Sequence, residues 1–118
     1  MDRVTADTLE TIERFNEAFN RHDVDVVMSL MTDDVVFENT SPAPDGERYW
    51  GQRAVRAFWE RFFAGSPAAR FDTEEIVAIG DRCVVRWRYS WGDGHVRGID
   101  LFRVRDGKVA EKHSYVKG

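Results

Sequence analysis

Asp100 is the side chain in this sequence that most demands a chemical role. It lies in the run His95-Val96-Arg97-Gly98-Ile99-Asp100-Leu101-Phe102-Arg103-Val104-Arg105, which alternates like a strand. An Asp106-Gly107 pair then turns the chain into a second alternating run, a strong hairpin signal. Side chains two apart share a face, so Asp100 stands with Phe102 and Val104 on the side where a core or pocket would lie. A carboxylate there is costly unless it is paired, hydrogen-bonded or protonated. The hairpin register decides its partner. A three-residue loop with a bulge at Gly107 puts Lys112 opposite Asp100 and Ser114 opposite Gly98, which makes an ion pair. A two-residue turn puts His113 there instead and makes an acid–base dyad.

Other groups could join Asp100. Asn39 ends the short strand Val35-Val36-Phe37-Glu38-Asn39, which carries Phe37 on the same side. Trp59 sits on a helical stripe, and Val85, Trp87, Tyr89 and Trp91 share one strand face. On this reading Asp100 and Asn39 are the candidate catalytic residues. Phe15, Phe37, Trp59, Trp87, Tyr89, Phe102, Lys112 and Ser114 are the candidate ligand contacts. Each has a plainer reading: Asp100 with Lys112 as a buried pair that holds the hairpin, Asn39 as a strand cap, the tryptophans as core. His22, His95 and His113 show no metal-ligand spacing, so neither a metal nor another cofactor is expected. Cys83 reads as a small buried hydrophobe.

The elements that must position these groups run helices first and strands last. Asp7 with Glu10 resembles a capping box, followed by Leu9, Ile12, Phe15 and Phe19 at helical spacing. Asp23 caps a second helix carrying Val24, Val27, Met28 and Met31, stopped by Thr32-Asp33-Asp34. Thr40 to Tyr49, with two prolines and a glycine, reads as a loop. A third helix, about Gln52 to Phe63, presents Val55, Phe58, Trp59 and Phe62. Strands follow over Phe71 to Ile79 and Cys83 to Trp91, then the hairpin. The layout is α+β: three helices over one face of a curved antiparallel sheet.

Composition narrows the function. The 118 residues fit a single domain, and 15 aromatic residues (8 Phe, 4 Trp and 3 Tyr) suit a filled core or an aromatic-lined cavity. A net charge of −4 argues against nucleic acid or an anionic membrane as partner. A lone cysteine, no spanning apolar run and no leader-like start predict a cytoplasmic protein. The outward face of the hairpin, with Ile99, Leu101, Val109 and Tyr115 among arginines, predicts a homodimer.

The element order, with Asn20-Arg21-His22-Asp23, Leu30-Met31-Thr32-Asp33-Asp34-Val35 and Gly51-Gln52-Arg53-Ala54-Val55, resembles the nuclear transport factor 2-like superfamily, and within it the SnoaL-like group, over residues 1–118. That resemblance implies a cone whose wide end holds a pocket, a dimer through the outer sheet face, and the register with Lys112, Ser114 and Val116 inward. It does not supply a complete catalytic set. The proton-shuttling aspartate of ketosteroid isomerases falls on Asn39 and their tyrosine on Phe15, while their second acid survives as Asp100. In the limonene epoxide hydrolase pattern Asn39 matches and Arg88 could stand in for the arginine. Phe37 replaces the tyrosine, and Ser90 and Ser114 replace the aspartates. The acid of SnoaL-type cyclases again falls on Ser114. Two expectations result: a pocket for a small hydrophobic molecule with isomerase-, cyclase- or hydrolase-type acid–base chemistry, or a non-catalytic binding or dimeric assembly domain.

Overall fold

The computed structural model describes residues 1–118 throughout. Helices α1 (Arg3–Asn20) and α2 (Val24–Ser29) precede strand β1 (Met31–Glu38). Strand β2 (Arg48–Trp50) leads into α3 (Gly51–Gly65), and then come β3 (Arg70–Ile79), β4 (Arg82–Ser90), β5 (His95–Arg105) and β6 (Lys108–Val116). One sheet in the order β2-β1-β6-β5-β4-β3 curls under the three helices, with the core between the layers. Every pairing is antiparallel except β1 with β6, which is parallel. The sheet is therefore mixed rather than wholly antiparallel, because β1 arrives from the helical layer instead of from a neighbouring turn.

Several boundaries differ from the expectation. α1 begins at Arg3 and is capped by Asp2, five residues before Asp7; the Asp2 carboxylate accepts from the Thr5 N–H at 2.7 Å, and Asp7 lies on the exposed face beside Arg3. Leu9 is only half-buried, and Thr5, Thr8 and Thr11 take the inward positions of that first stretch. Thr8 donates to the Gly80 carbonyl at 2.7 Å and the Gly80 N–H donates to Thr5 at 2.8 Å, so α1 grips the β3–β4 turn through polar contacts. α2 is shorter than its apolar spacing suggests, because Met31 and Thr32 already belong to β1. Within the proline-rich segment, Arg48 to Tyr49 pair with β1 as part of β2.

Three of the local motifs are joints. The Asn20 side chain donates to and accepts from the Phe71 backbone (2.7 and 2.9 Å), tying the end of α1 to β3. His22, at φ 57, donates from Nε2 to the Ala69 carbonyl at 2.9 Å and stacks on Phe63. Gln52 reaches the carbonyls of Met28, Met31 and Thr32 from the first turn of α3. Together these joints hold the helices at a fixed height above the sheet.

Candidate functional site

The final hairpin sets the site, and its register is neither of the two expected. Asp106 and Gly107 both take positive φ (53° and 73°), giving a two-residue turn between Arg105 and Lys108. One extra residue, Ala110, then bulges from β6 between the pairs Val104–Val109 and Arg103–Glu111. A strand without this bulge would turn Glu111 and His113 inward after Val109. With it, Lys112, Ser114 and Val116 share the inner face, as the family resemblance implied. The cross-strand partners are shifted by two, so that Asp100 faces Ser114, Phe102 faces Lys112 and Gly98 faces Val116. His113 lies on the other face between Glu111 (3.1 Å) and Glu38 (3.8 Å), which rules out the Asp100–His113 dyad. Val109 is likewise fully buried, not part of the outer face.

Asp100, Ser114 and Lys112 form one buried cluster. The Ser114 hydroxyl donates to Asp100 Oδ1 at 2.6 Å, and Lys112 Nζ donates to Ser114 Oγ at 3.0 Å. Lys112 Nζ also lies 3.3 Å from Asp100 Oδ2, diagonally across the strands, and both side chains are 9 % exposed. The ammonium is surrounded by ring faces, with centroids at 4.9 Å (Phe37), 5.3 Å (Trp59), 5.8 Å (Phe19) and 6.0 Å (Phe102). Cation–π attraction and the carboxylate together offset the desolvation of this amine.

The cluster forms one wall of a cavity of about 290 Å³ between α3 and the sheet. Phe37 and Trp59 reach it from β1 and α3, Trp87 and Tyr89 from β4, and Asn39 with Thr40 from the start of the loop after β1. Asn39 contacts Ser41 at 3.4 Å and lies away from Asp100's hydrogen bonds. Phe15 and Phe102 do not line this cavity. They pack edge-to-face (5.8 Å) with each other, and Phe15 lines a void of about 20 Å³ that also touches Asp100 and Lys112. Trp91 leaves the strand face and is 41 % exposed, packed on Tyr89.

Sequence reasoning placed Phe58 and Phe62 in the core and passed over Phe71 and Val96 as site residues. All four line the cavity and are half-buried rather than buried. The usable signal was the i, i+4 pair Phe58–Phe62 beside the buried stripe Val55–Trp59, since a second aromatic row on one helix needs a second surface to face. Gly98 was also legible. A Cβ there would lie 2.7 Å from the Trp87 ring and 2.2 Å from the Tyr115 carbonyl, so glycine is what lets Trp87 lie flat on β5. Trp87 Nε1–H and Trp59 Nε1–H are both buried without a protein partner.

This arrangement, a half-open sheet under three helices with a polar cluster on an aromatic cavity, has relatives. The model of the SnoaL-like domain family matches residues 12–112. The chain belongs to the SnoaL-like family of the NTF2-like superfamily. A structure of an NTF2-like protein of unknown function from Mesorhizobium loti is 44 % identical, covering 100 % of this chain and 97 % of that one, with a TM-score of 0.89. Two more distant structures share the fold. One, described as a putative ketosteroid isomerase from Kribbella flavida, has 18 % identity, 97 % and 80 % coverage, and a TM-score of 0.84. The other, described as a putative SnoaL-like polyketide cyclase from Jannaschia sp., has 23 % identity, 99 % and 90 % coverage, and a TM-score of 0.83. A search of curated proteins finds no match.

Proposed function

We propose that this SnoaL-like protein binds a small, mostly apolar molecule bearing a polar oxygen in the 290 Å³ cavity, with the Asp100–Ser114–Lys112 cluster as its polar anchor and proton-handling group. The observation that carries the reading is a charged pair, 9 % exposed, lining an aromatic cavity that the protein's own side chains leave open. The fold relatives described as a ketosteroid isomerase and a polyketide cyclase make polycyclic ketones and phenols the first compounds to try. The test is a screen of such compounds by thermal shift and by tryptophan fluorescence. Wild-type protein is expected to gain stability and lose emission, and Val96→Trp, which fills the cavity, to lose both responses. A screen in which no compound acts on the wild type would overturn the reading.

Dimer formation is a second, compatible proposal. Val84, Ile99 and Tyr115 lie exposed on the outer sheet face (37 %, 37 % and 52 %), interleaved with charged side chains such as Arg86 and Arg97. Light scattering at micromolar concentration should give twice the chain mass; a monomer would refute this part.

A further inference from the structure

We propose that Lys112 is an amine nucleophile that captures a carbonyl-bearing ligand as a protonated imine; this rests on the cavity being a ligand site. Of the 17 basic residues only three are lysines, Lys108, Lys112 and Lys117. Lys112 alone among them is buried, and it alone lines the cavity. An arginine would pair with Asp100 through two parallel hydrogen bonds, but its guanidinium cannot give up a proton to become a nucleophile. Lysine can, and here a base stands within reach. Asp100 Oδ2 is 3.3 Å from Nζ, and a second path runs from Nζ to Ser114 Oγ (3.0 Å) to Asp100 Oδ1 (2.6 Å). Such an amine–base pair is the standard way to activate a weak nucleophile. The ring faces around Nζ give the reacting nitrogen an apolar setting.

The step balances within this cluster. The ammonium passes one proton to the Asp100 carboxylate, and the freed lone pair forms the N–C bond while the carbonyl π pair moves onto oxygen. That oxygen takes the proton back from Asp100. The nitrogen then gives Asp100 a second proton, which leaves with the hydroxyl as water when the C–O bond breaks and the C=N bond forms. The net change is ammonium plus carbonyl to protonated imine plus water, with Asp100 returned as carboxylate. The ligand class is an aromatic or alicyclic aldehyde or ketone.

The test incubates the whole protein with 2-naphthaldehyde and sodium cyanoborohydride, then maps the reduced adduct by mass spectrometry. One naphthylmethyl group per chain is expected, on Lys112, and 2-naphthylmethanol should compete with it. Ser114→Ala and Asp100→Asn, checked for folding by circular dichroism, should slow trapping about a hundredfold, the usual scale of a lost acid–base partner. Wild-type rates in both would overturn the proton path. An adduct spread over Lys108, Lys117 and the N-terminal amine, with Lys112 unmodified, would overturn the nucleophile. Naphthylmethanol binding, read separately by tryptophan quenching, tells the two failures apart. Binding without a Lys112 adduct ends the imine and leaves the cavity reading standing, whereas neither binding nor adduct ends both.

Discussion

Asp100 and Lys112 are tolerable in this interior only together. Each is 9 % exposed, and each is the other's only opposite charge within ion-pair distance. Asp100→Asn keeps the shape and the hydrogen bond from Ser114 but leaves a buried ammonium uncompensated, so it should lower unfolding stability by about 3 kcal/mol. Adding Lys112→Met removes the stranded charge and puts a polarizable, flexible chain among Phe37, Trp59 and Phe19. Most of the loss should then return, as it does when buried pairs are replaced by packed apolar groups. Urea titrations of the wild type, both singles and the double variant measure this, and a wild-type midpoint for Asp100→Asn would show that the pair contributes nothing to folding. Cys83 gives an independent check on the same interior. Burial, with a smaller effect from Glu13, pushes its thiol up to about 11, so the reactive thiolate is scarce at neutral pH. An aromatic disulfide reagent should leave the native protein unlabelled and titrate one thiol once urea unfolds it.

At the scale of elements, the hairpin explains what was legible in the sequence and what was not. Alternation along β5 placed Asp100, Phe102 and Val104 on one face correctly, because period 2 is a local property of a paired strand. The partner across the hairpin lies two residues beyond the bulged-loop expectation and one beyond the two-residue-turn expectation: the turn is the two-residue one, and the last step comes from Ala110, a small buried residue in an otherwise regular alternation that gives no bulge signal. The start of α1 was misread for a related reason. Thr5, Thr8 and Thr11 read as polar, yet all three are buried: Thr5 and Thr8 bind the Gly80 backbone of the β3–β4 turn, which only the fold supplies, and Thr11 donates back to the Asp7 carbonyl within α1. Thr8→Val should test that joint. It keeps the bulk, leaves the Gly80 carbonyl without its donor, and is expected to cost about 1–3 kcal/mol by thermal unfolding. Gly98→Ala tests the cavity wall from behind. Its methyl would meet a backbone carbonyl at 2.2 Å, so relief must come from moving Trp87 or separating β5 from β6. Overpacking of this kind costs about 1–3 kcal/mol and here should also shift tryptophan emission. An unshifted spectrum with wild-type stability would mean that Trp87 does not rest on β5 as described.

Over the whole molecule, the charges that balance at neutral pH set how the fold responds to acid. The sheet exterior is a lattice of ion pairs. Glu74 meets Arg97 and Arg86, Glu111 meets Arg103 and His113, and Asp34 meets Arg105. These partners hold the three carboxyls below their ordinary values. The hydrogen bond from Arg97 acts most on Glu74, that from His113 on Glu111, and that from Arg105 on Asp34. Asp2, capping α1, is lowered in the same sense by the Thr5 N–H. A carboxyl that is more acidic folded than unfolded binds fewer protons in the native state. Its stabilisation is therefore complete above the unfolded value and lost as pH falls through the folded one. Cys83 acts in the opposite range: its folded value is raised, so its contribution is present below the ordinary thiol value and fades as pH climbs towards about 11. Stability should accordingly be flat from about pH 5 to pH 8 and fall steadily below about pH 4.5. The Glu74 and Asp34 pairs reach solvent and the Glu111–His113 pair is half-buried, so the acid limb should be shallow and its exposed part should weaken further in molar salt. Urea midpoints at pH 7, 5, 4 and 3, with and without added sodium chloride, measure the profile. If the protein were equally stable at pH 3 and pH 7, these ion pairs would be decoration on a fold held by its core alone.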